Sequence, residues 1–328
     1  MPARVNLEAR RLAGLLLLAW LLQGCSSLGP RSLPPPSGLP VSVELTRTPF
    51  FPQQQHQCGP AALATLLGFH GLPVTPQRLT PQVYLPGRKG SLGLELAATA
   101  RSYGMLVYPL AGGLDPLLRE IAANHPVLVL QNLSFDWLPL WHYAVVIGYD
   151  LSRQELILRS GTSRRRRTPF ATFQHTWGRA DHWARVILPA GQLPATARPG
   201  SYLKAAQALE RTAGEQAARP AYQAALRRWP DNSRAWLMAG NNALSLNDLE
   251  LAHRAYRRAA ALTPRDPLIW NNLAYLYVAG GCPQQARQAV ARALELQPDD
   301  ANLRDSRAEI NAQTAVPSGT TCRWLTPP

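Results

Sequence analysis

The sequence predicts an α+β domain followed by an all-α domain. Two observations carry this. Between Pro40 and Pro194, helical stretches give way to apolar runs of strand length, "PVLVLQN", "HYAVVIGYD", "ELILRS" and "WARVILP". From Tyr202 onward the alphabet shifts to Ala, Arg, Leu and Gln at helical spacing, and the pattern repeats every 34 residues. With 328 residues and 46% hydrophobic content, the chain has room for two domains with cores of their own.

The N-terminus bears on location. Arg4, Arg10 and Arg11 precede an apolar run, Leu12–Leu22, that ends at "LQGCSS". A basic stretch, a short apolar segment and small residues at a cleavage point describe an export signal, too short for a membrane span. Cys25 after Gly24 resembles the lipobox of bacterial lipoproteins. That resemblance implies a signal peptide over residues 1–24 and lipidation of Cys25. Ser26 in the next position implies an outer-membrane lipoprotein facing the periplasm. The proline-rich residues 25–40 read as an extended tether.

The net charge is +14, mostly from arginine, which suits nucleic acid, anionic lipid or acidic glycans. An exported protein meets little nucleic acid, so no nucleic-acid partner is expected. The run Arg164–Arg167 accordingly reads as a solvated loop.

In the first domain, helices are expected over Gly59–Phe69, Leu92–Tyr103 and Pro116–Ala123, with a strand at Met105–Tyr108 before the four runs quoted above. The stretch "QCGPAAL" then raises a chemical question. A thiol nucleophile needs a lowered pKa, a base within reach and donors aimed at the oxyanion. Cys58 stands at a helix entry, where the positive end of the helix favours thiolate. His142 opens the strand "HYAVVIGYD" and is the candidate base. His56, His70, His125, His175, His182 and His253 read as packing or surface residues. Gln53 is the candidate oxyanion donor beside the Cys58 backbone N–H, with Gln54, Gln55 and Gln57 as competitors.

Gln–x4–Cys–Gly–Pro–Ala–Ala–Leu followed far downstream by His–Tyr–Ala–Val–Val–Ile–Gly–Tyr–Asp resembles the papain-like peptidase domain of the double-glycine leader peptidases, over about Thr48 to Ile187. The resemblance implies a papain-like domain over 41–194 with Cys58 as nucleophile, His142 as base and Gln53 as oxyanion donor. This sequence places the glutamine five residues before the cysteine, where those enzymes place it six before, and no transporter or ATPase follows. Those enzymes also orient the histidine with an aspartate. Asp150 lies eight residues, about 26 Å, along the strand and is too far. Ser160, carried opposite on "ELILRSG", and Asn132 on the preceding strand are the alternative orienting groups.

The second domain repeats in five classes of position. Pro230, Pro264 and Pro298 are in phase, as are Ala218, Ala252 and Ala286; Tyr222, Tyr256 and Val290; Tyr202, Trp236 and Trp270; and Ala225, Ala259 and Ala293. This resembles the tetratricopeptide repeat, with copies at about 199–232, 233–266 and 267–300, a capping helix to 312 and a tail over 313–328. Small alanines let paired helices approach, aromatics fill the space between pairs, and each proline stops a helix. Such an array offers a concave surface to a peptide or protein partner, or serves only as a stalk.

Cys282 and Cys322, forty residues apart, are two spare cysteines in an oxidising compartment and are expected to bond. Cys58 is then left without a partner. No metal cluster or phosphate loop stands out, and no cofactor is expected. The leading reading is a membrane-anchored periplasmic cysteine peptidase acting on peptide or protein substrates. Its rival is an inactive peptidase fold serving as an adaptor, and acyl or amide transfer by the same residues is a related option.

Overall fold

The structure is a computed structural model and describes residues 38–53, 57–314 and 322. The signal segment, Cys25, most of the tether, Gln54, Gln55, His56 and most of the C-terminal tail lie outside the described residues.

The fold class is the one the sequence predicts. Seven antiparallel strands form one sheet in the order β2-β7-β3-β4-β5-β6, with β1 (Ser42–Glu44) pairing the far half of β4. The others are β2 (Met105–Pro109), β3 (Val127–Asn132), β4 (Trp141–Asp150), β5 (Glu155–Ser160), β6 (Ser163–Pro169) and β7 (Ala184–Pro189). Strand β4 is the spine, because its run of Tyr143 to Tyr149 is buried on both faces. On one face lie α1 (Cys58–Phe69), α2 (Pro76–Val83) and α3 (Gly93–Ser102), packed through Leu63, Leu66, Leu67 and Leu96 against Val145, Ile147 and Ile157. On the other lie α4 (Leu114–Ala122) and α5 (Phe170–Gly178), packed against Val129, Ala144, Val146 and Leu158.

The arginine run is not a loop but the edge strand β6, which corrects the expectation from the sequence. Its side chains alternate across the sheet. Arg165 bonds the Glu44 carboxylate at 2.6 Å and Arg167 bonds Glu155 at 2.9 Å. Thr168, on the opposite face, is buried. Exposed cations along an edge also discourage pairing with another chain.

The repeats follow as α6 (Pro199–Ala213), α7 (Glu215–Arg228), α8 (Ser233–Ser245), α9 (Leu249–Leu262), α10 (Pro267–Ala279), α11 (Pro283–Leu296) and α12 (Ala301–Thr314). The phased residues act as their sizes require. Trp236 and Trp270 each donate their indole N–H to the carbonyl of the proline six residues earlier, Pro230 at 2.7 Å and Pro264 at 2.8 Å. Gly240 admits the Tyr256 ring so closely that a Cβ there would stand 2.5 Å from it. A disulfide joins Cys282 to Cys322 and so ties part of the tail to the last repeat.

One hydrophobic cluster runs without a break from Leu106, Tyr108 and Leu188 into Tyr202, Leu203 and Ala206 of the first repeat. The connecting segment is also held by polar groups. The buried Glu120 carboxylate accepts from the backbone N–H of Ala195 at 3.0 Å and of Thr196 at 2.8 Å, and Tyr108 Oη accepts from Arg198 N–H at 3.1 Å. The joint between the two domains is therefore packed, not a free linker.

Candidate active site

The site forms where β3 ends, β4 begins and β5 turns into β6. Cys58 is the first residue of α1, half-buried against the core and the one free cysteine among the described residues. Helix α1 starts here because Gly59 and Pro60 suit a first turn and the run that follows is small and apolar. Gly59 is required sterically: a Cβ there would lie 2.4 Å from Ser91 Oγ. The loop before α3 thus closes against the helix entry.

Three backbone N–H groups favour the Cys58 thiolate, those of Tyr143, Gly59 and Cys58 itself. The last two are among the orphan donors of the first helical turn. The Tyr143 contact holds the sulfur one residue from His142 on β4. Burial nevertheless outweighs these donors and pushes the Cys58 thiol up from its ordinary value. The lowered pKa expected from the helix entry is therefore corrected: helix position favours the anion, but removal from water disfavours it more.

His142 begins β4 and shares a sheet face with Ser160 at the end of β5. Its Nε2 lies 2.9 Å from Ser160 Oγ, while Nδ1 has no hydrogen-bond partner among the described residues. Burial, with a smaller push from the Arg166 guanidinium, lowers its pKa to about 4. At neutral pH the Cys58 thiol and the His142 imidazole thus both rest uncharged. For Nδ1 to act as a base, Nε2 must carry the proton, and Ser160 must then accept it.

Asn132 does not orient the histidine. Its amide belongs to the loop between β3 and β4: Oδ1 accepts from Ser134 N–H at 3.1 Å and Leu140 N–H at 2.9 Å, and Nδ2 donates to the Phe135 carbonyl at 3.3 Å. Of the two candidates weighed from sequence, the structure brings only Ser160 to the imidazole. Asp150 stands at the opposite end of β4, beside Arg153 and Arg167.

Gln53 is fastened to the β5–β6 turn. Its backbone N–H donates to Gly161 O at 3.1 Å, and its Oε1 accepts from Gly161 N–H at 3.0 Å. That acceptor role fixes which way the amide faces, so Nε2 points to β4 and donates to Tyr143 O at 3.4 Å. Gln53 and the Cys58 sulfur therefore meet the same residue, Tyr143, and one amide hydrogen of Gln53 remains to donate elsewhere. Gln57, the residue before α1, makes no side-chain capping bond.

Three other histidines serve the scaffold. His70 Nε2 donates to the Ile187 carbonyl oxygen at 2.8 Å, His125 pairs with buried Glu120 at 2.8 Å, and His182 packs edge-on against Trp177. The Tyr143 backbone was missed from sequence. Only the register of β4 against the helix entry reveals it. No group of three or more metal-ligating side chains occurs among the described residues.

Residues 46–184 match the model of the Peptidase_C39 like family, and residues 203–241 and 237–301 match that of the tetratricopeptide repeat. Among solved structures, the chain is similar to a protein described as a C39-like peptidase from Bacillus anthracis, at 18% identity over 45% of this chain and 97% of that one, with a TM-score of 0.38. It is similar to the peptidase domain of Streptococcus ComA, a bifunctional ABC transporter of a quorum-sensing pathway, at 20% identity over 43% and 98% of the two chains, with a TM-score of 0.36. A third similarity is to an O-GlcNAc transferase mutant from Thermobaculum terrenum, at 28% identity over 35% of this chain but only 23% of that one, with a TM-score of 0.33. No curated protein matches the chain. The chain thus joins a C39-peptidase-like domain to tetratricopeptide repeats.

Proposed function

We propose that this C39-peptidase-like domain is a working cysteine peptidase, carried on a lipid anchor at Cys25 to the periplasmic face of the outer membrane. One observation supports the catalytic reading above the others. The Cys58 sulfur sits on the backbone N–H of Tyr143, the residue after His142, and the His142 imidazole has Nε2 engaged by Ser160 and Nδ1 without a hydrogen-bond partner among the described residues.

Because both groups rest neutral, attack proceeds by general-base catalysis instead of from a preformed ion pair. Cys58 Sγ bonds to the substrate carbonyl carbon as its proton passes to His142 Nδ1. The oxyanion is met by the Cys58 backbone N–H and Gln53 Nε2. His142 then returns the proton to the departing amine as the C–N bond breaks, leaving a thioester that water hydrolyses. Ser160 holds the ring through the cycle and accepts from the imidazolium, though without an aspartate's charge. The repeats, rigidly joined to the domain, bind a protein partner or present the substrate.

The raised thiol and the uncharged orienting group favour a second reading, a peptidase fold that binds peptide without cutting it. A peptidyl fluoromethyl ketone separates the two. A peptidase forms a covalent adduct at Cys58 that His142→Ala abolishes in a correctly folded variant. An adaptor is not modified, or is modified equally with and without His142.

A further inference from the structure

Ten large apolar side chains are exposed among the described residues, and six of them crowd into the nine residues Leu133–Trp141, the turn from β3 to β4 and the first residue of β4. Trp137 is 79% exposed, Phe135 and Leu140 60%, and Trp141 51%. Among the described residues nothing covers them.

This hairpin is built to hold its shape. Leu133 N–H bonds Leu140 O at 2.9 Å, and Leu138 N–H bonds Phe135 O at 3.2 Å. The Asn132 amide ties both arms, as described above. Arg179 donates to the Ser134 carbonyl at 2.6 Å and pairs with Asp136 at 3.5 Å, so the one acid at the tip is neutralised. The Phe135 and Trp137 rings stack with centroids 5.7 Å apart. Docking this surface therefore costs little ordering entropy.

Cations stand at the same end of the sheet. Arg164 and Arg166 follow the β5–β6 turn, are exposed, and have no carboxylate partner among the described residues, unlike Arg165 and Arg167. A protruding tip of Trp, Phe and Leu beside unpaired guanidinium groups fits one occupant better than others. A peptide would call for a groove, and the pocket that Trp141 lines takes in none of Phe135, Trp137, Leu138 or Leu140. A second copy would bring one +14 chain against another. Indole and phenyl rings, by contrast, settle at the boundary between lipid headgroups and acyl chains, and arginines beside them meet anionic headgroups.

We propose that the Leu133–Trp141 hairpin docks the domain onto an anionic bilayer, with its aromatic rings in the headgroup boundary and Arg164 and Arg166 over the phosphates. Since Trp141 adjoins His142, docking holds the candidate cleft at the membrane surface. The inference uses neither hydrolysis nor the lipid at Cys25.

The test is flotation of the full chain carrying Cys25→Ser with vesicles of phosphatidylcholine, alone or mixed with phosphatidylglycerol. Every variant keeps residues 1–37, so any contribution from that apolar segment cancels. The parent chain should bind the mixed vesicles more tightly, and salt should weaken that binding. Trp137→Ser with Leu138→Ser should weaken it by about tenfold or more on both vesicle types. Arg164→Ala with Arg166→Ala should remove roughly tenfold or more from the phosphatidylglycerol-dependent part alone. Unchanged melting midpoints establish that the variants fold. Equal binding by the parent and the Trp137/Leu138 variant overturns the proposal. So does a parent dimer in sedimentation velocity that the same variant dissociates while vesicle binding stays the same.

Discussion

Replacing Ser160 with alanine isolates the orienting bond. In the resting site, Ser160 Oγ and His142 Nε2 are neutral partners 2.9 Å apart, a bond contributing about 1 kcal/mol. When the ring takes the thiol proton, the same bond joins a hydroxyl oxygen to an imidazolium, where about 1.5–3 kcal/mol is typical. Only what the transition state gains reaches the rate. Ser160→Ala should therefore slow adduct formation at Cys58 by roughly 2- to 30-fold while leaving reversible binding of the probe unchanged. The assay is the inactivation rate with a peptidyl fluoromethyl ketone, measured at several probe concentrations so that the binding and chemical steps separate. Ser160→Asp makes the converse change. A carboxylate on Nε2 should raise the His142 pKa from about 4 by one to three units and restore or exceed the parent rate. If Ser160→Ala reacts as fast as the parent, the hydroxyl does not set the ring, and the assigned proton path is wrong.

Three further outcomes follow from other parts of the structure. His142 is held neutral down to about pH 4 when folded but protonates near 6.5 when unfolded, so stability should fall as pH drops through that window, by at most about 3 kcal/mol. Urea melts of parent and His142→Phe should show that slope flattened in the variant. Gly59→Ala should abolish labelling of Cys58 with little loss of secondary structure, because the new methyl displaces Ser91 at the helix entry; an active Gly59→Ala variant would contradict the packing. Cys282→Ser opens a forty-residue loop and should lower stability by up to about 4 kcal/mol, with hydrogen exchange rising first in Pro267–Ala279 and Pro283–Leu296.

Much of this was legible because the signals were local. The repeats declare themselves through side-chain size at fixed phase: Gly240 must be small and Trp236 must be large wherever the array is cut. Strands β3, β4, β5 and β7 are apolar runs that nothing but a buried sheet explains. Strand β6 left no such trace. An edge strand written "SRRRRTP" has no buried periodicity, and its alternation shows only beside Glu44 and Glu155, one of them over a hundred residues distant in sequence. The three residues of β1 are too few to read, and α2 contains Pro81 within its eight residues, which argues against helix.

The site divides along the same line. A cysteine at a helix entry and a histidine opening a strand can be seen in one dimension. The state of the thiol cannot, since its pKa is set by burial under residues from several elements. Asn132 and Ser160 looked equivalent as sequence. The hairpin decided between them by claiming the asparagine amide for its own carbonyl and N–H groups.

The most direct test of the account is a comparison of protein N-termini in cells carrying the parent gene, Cys58→Ala or His142→Ala at matched protein levels. The account predicts at least one new N-terminus in the parent that disappears in both variants and is depleted in Ser160→Ala. Identical sets of termini in all of these cells would contradict it.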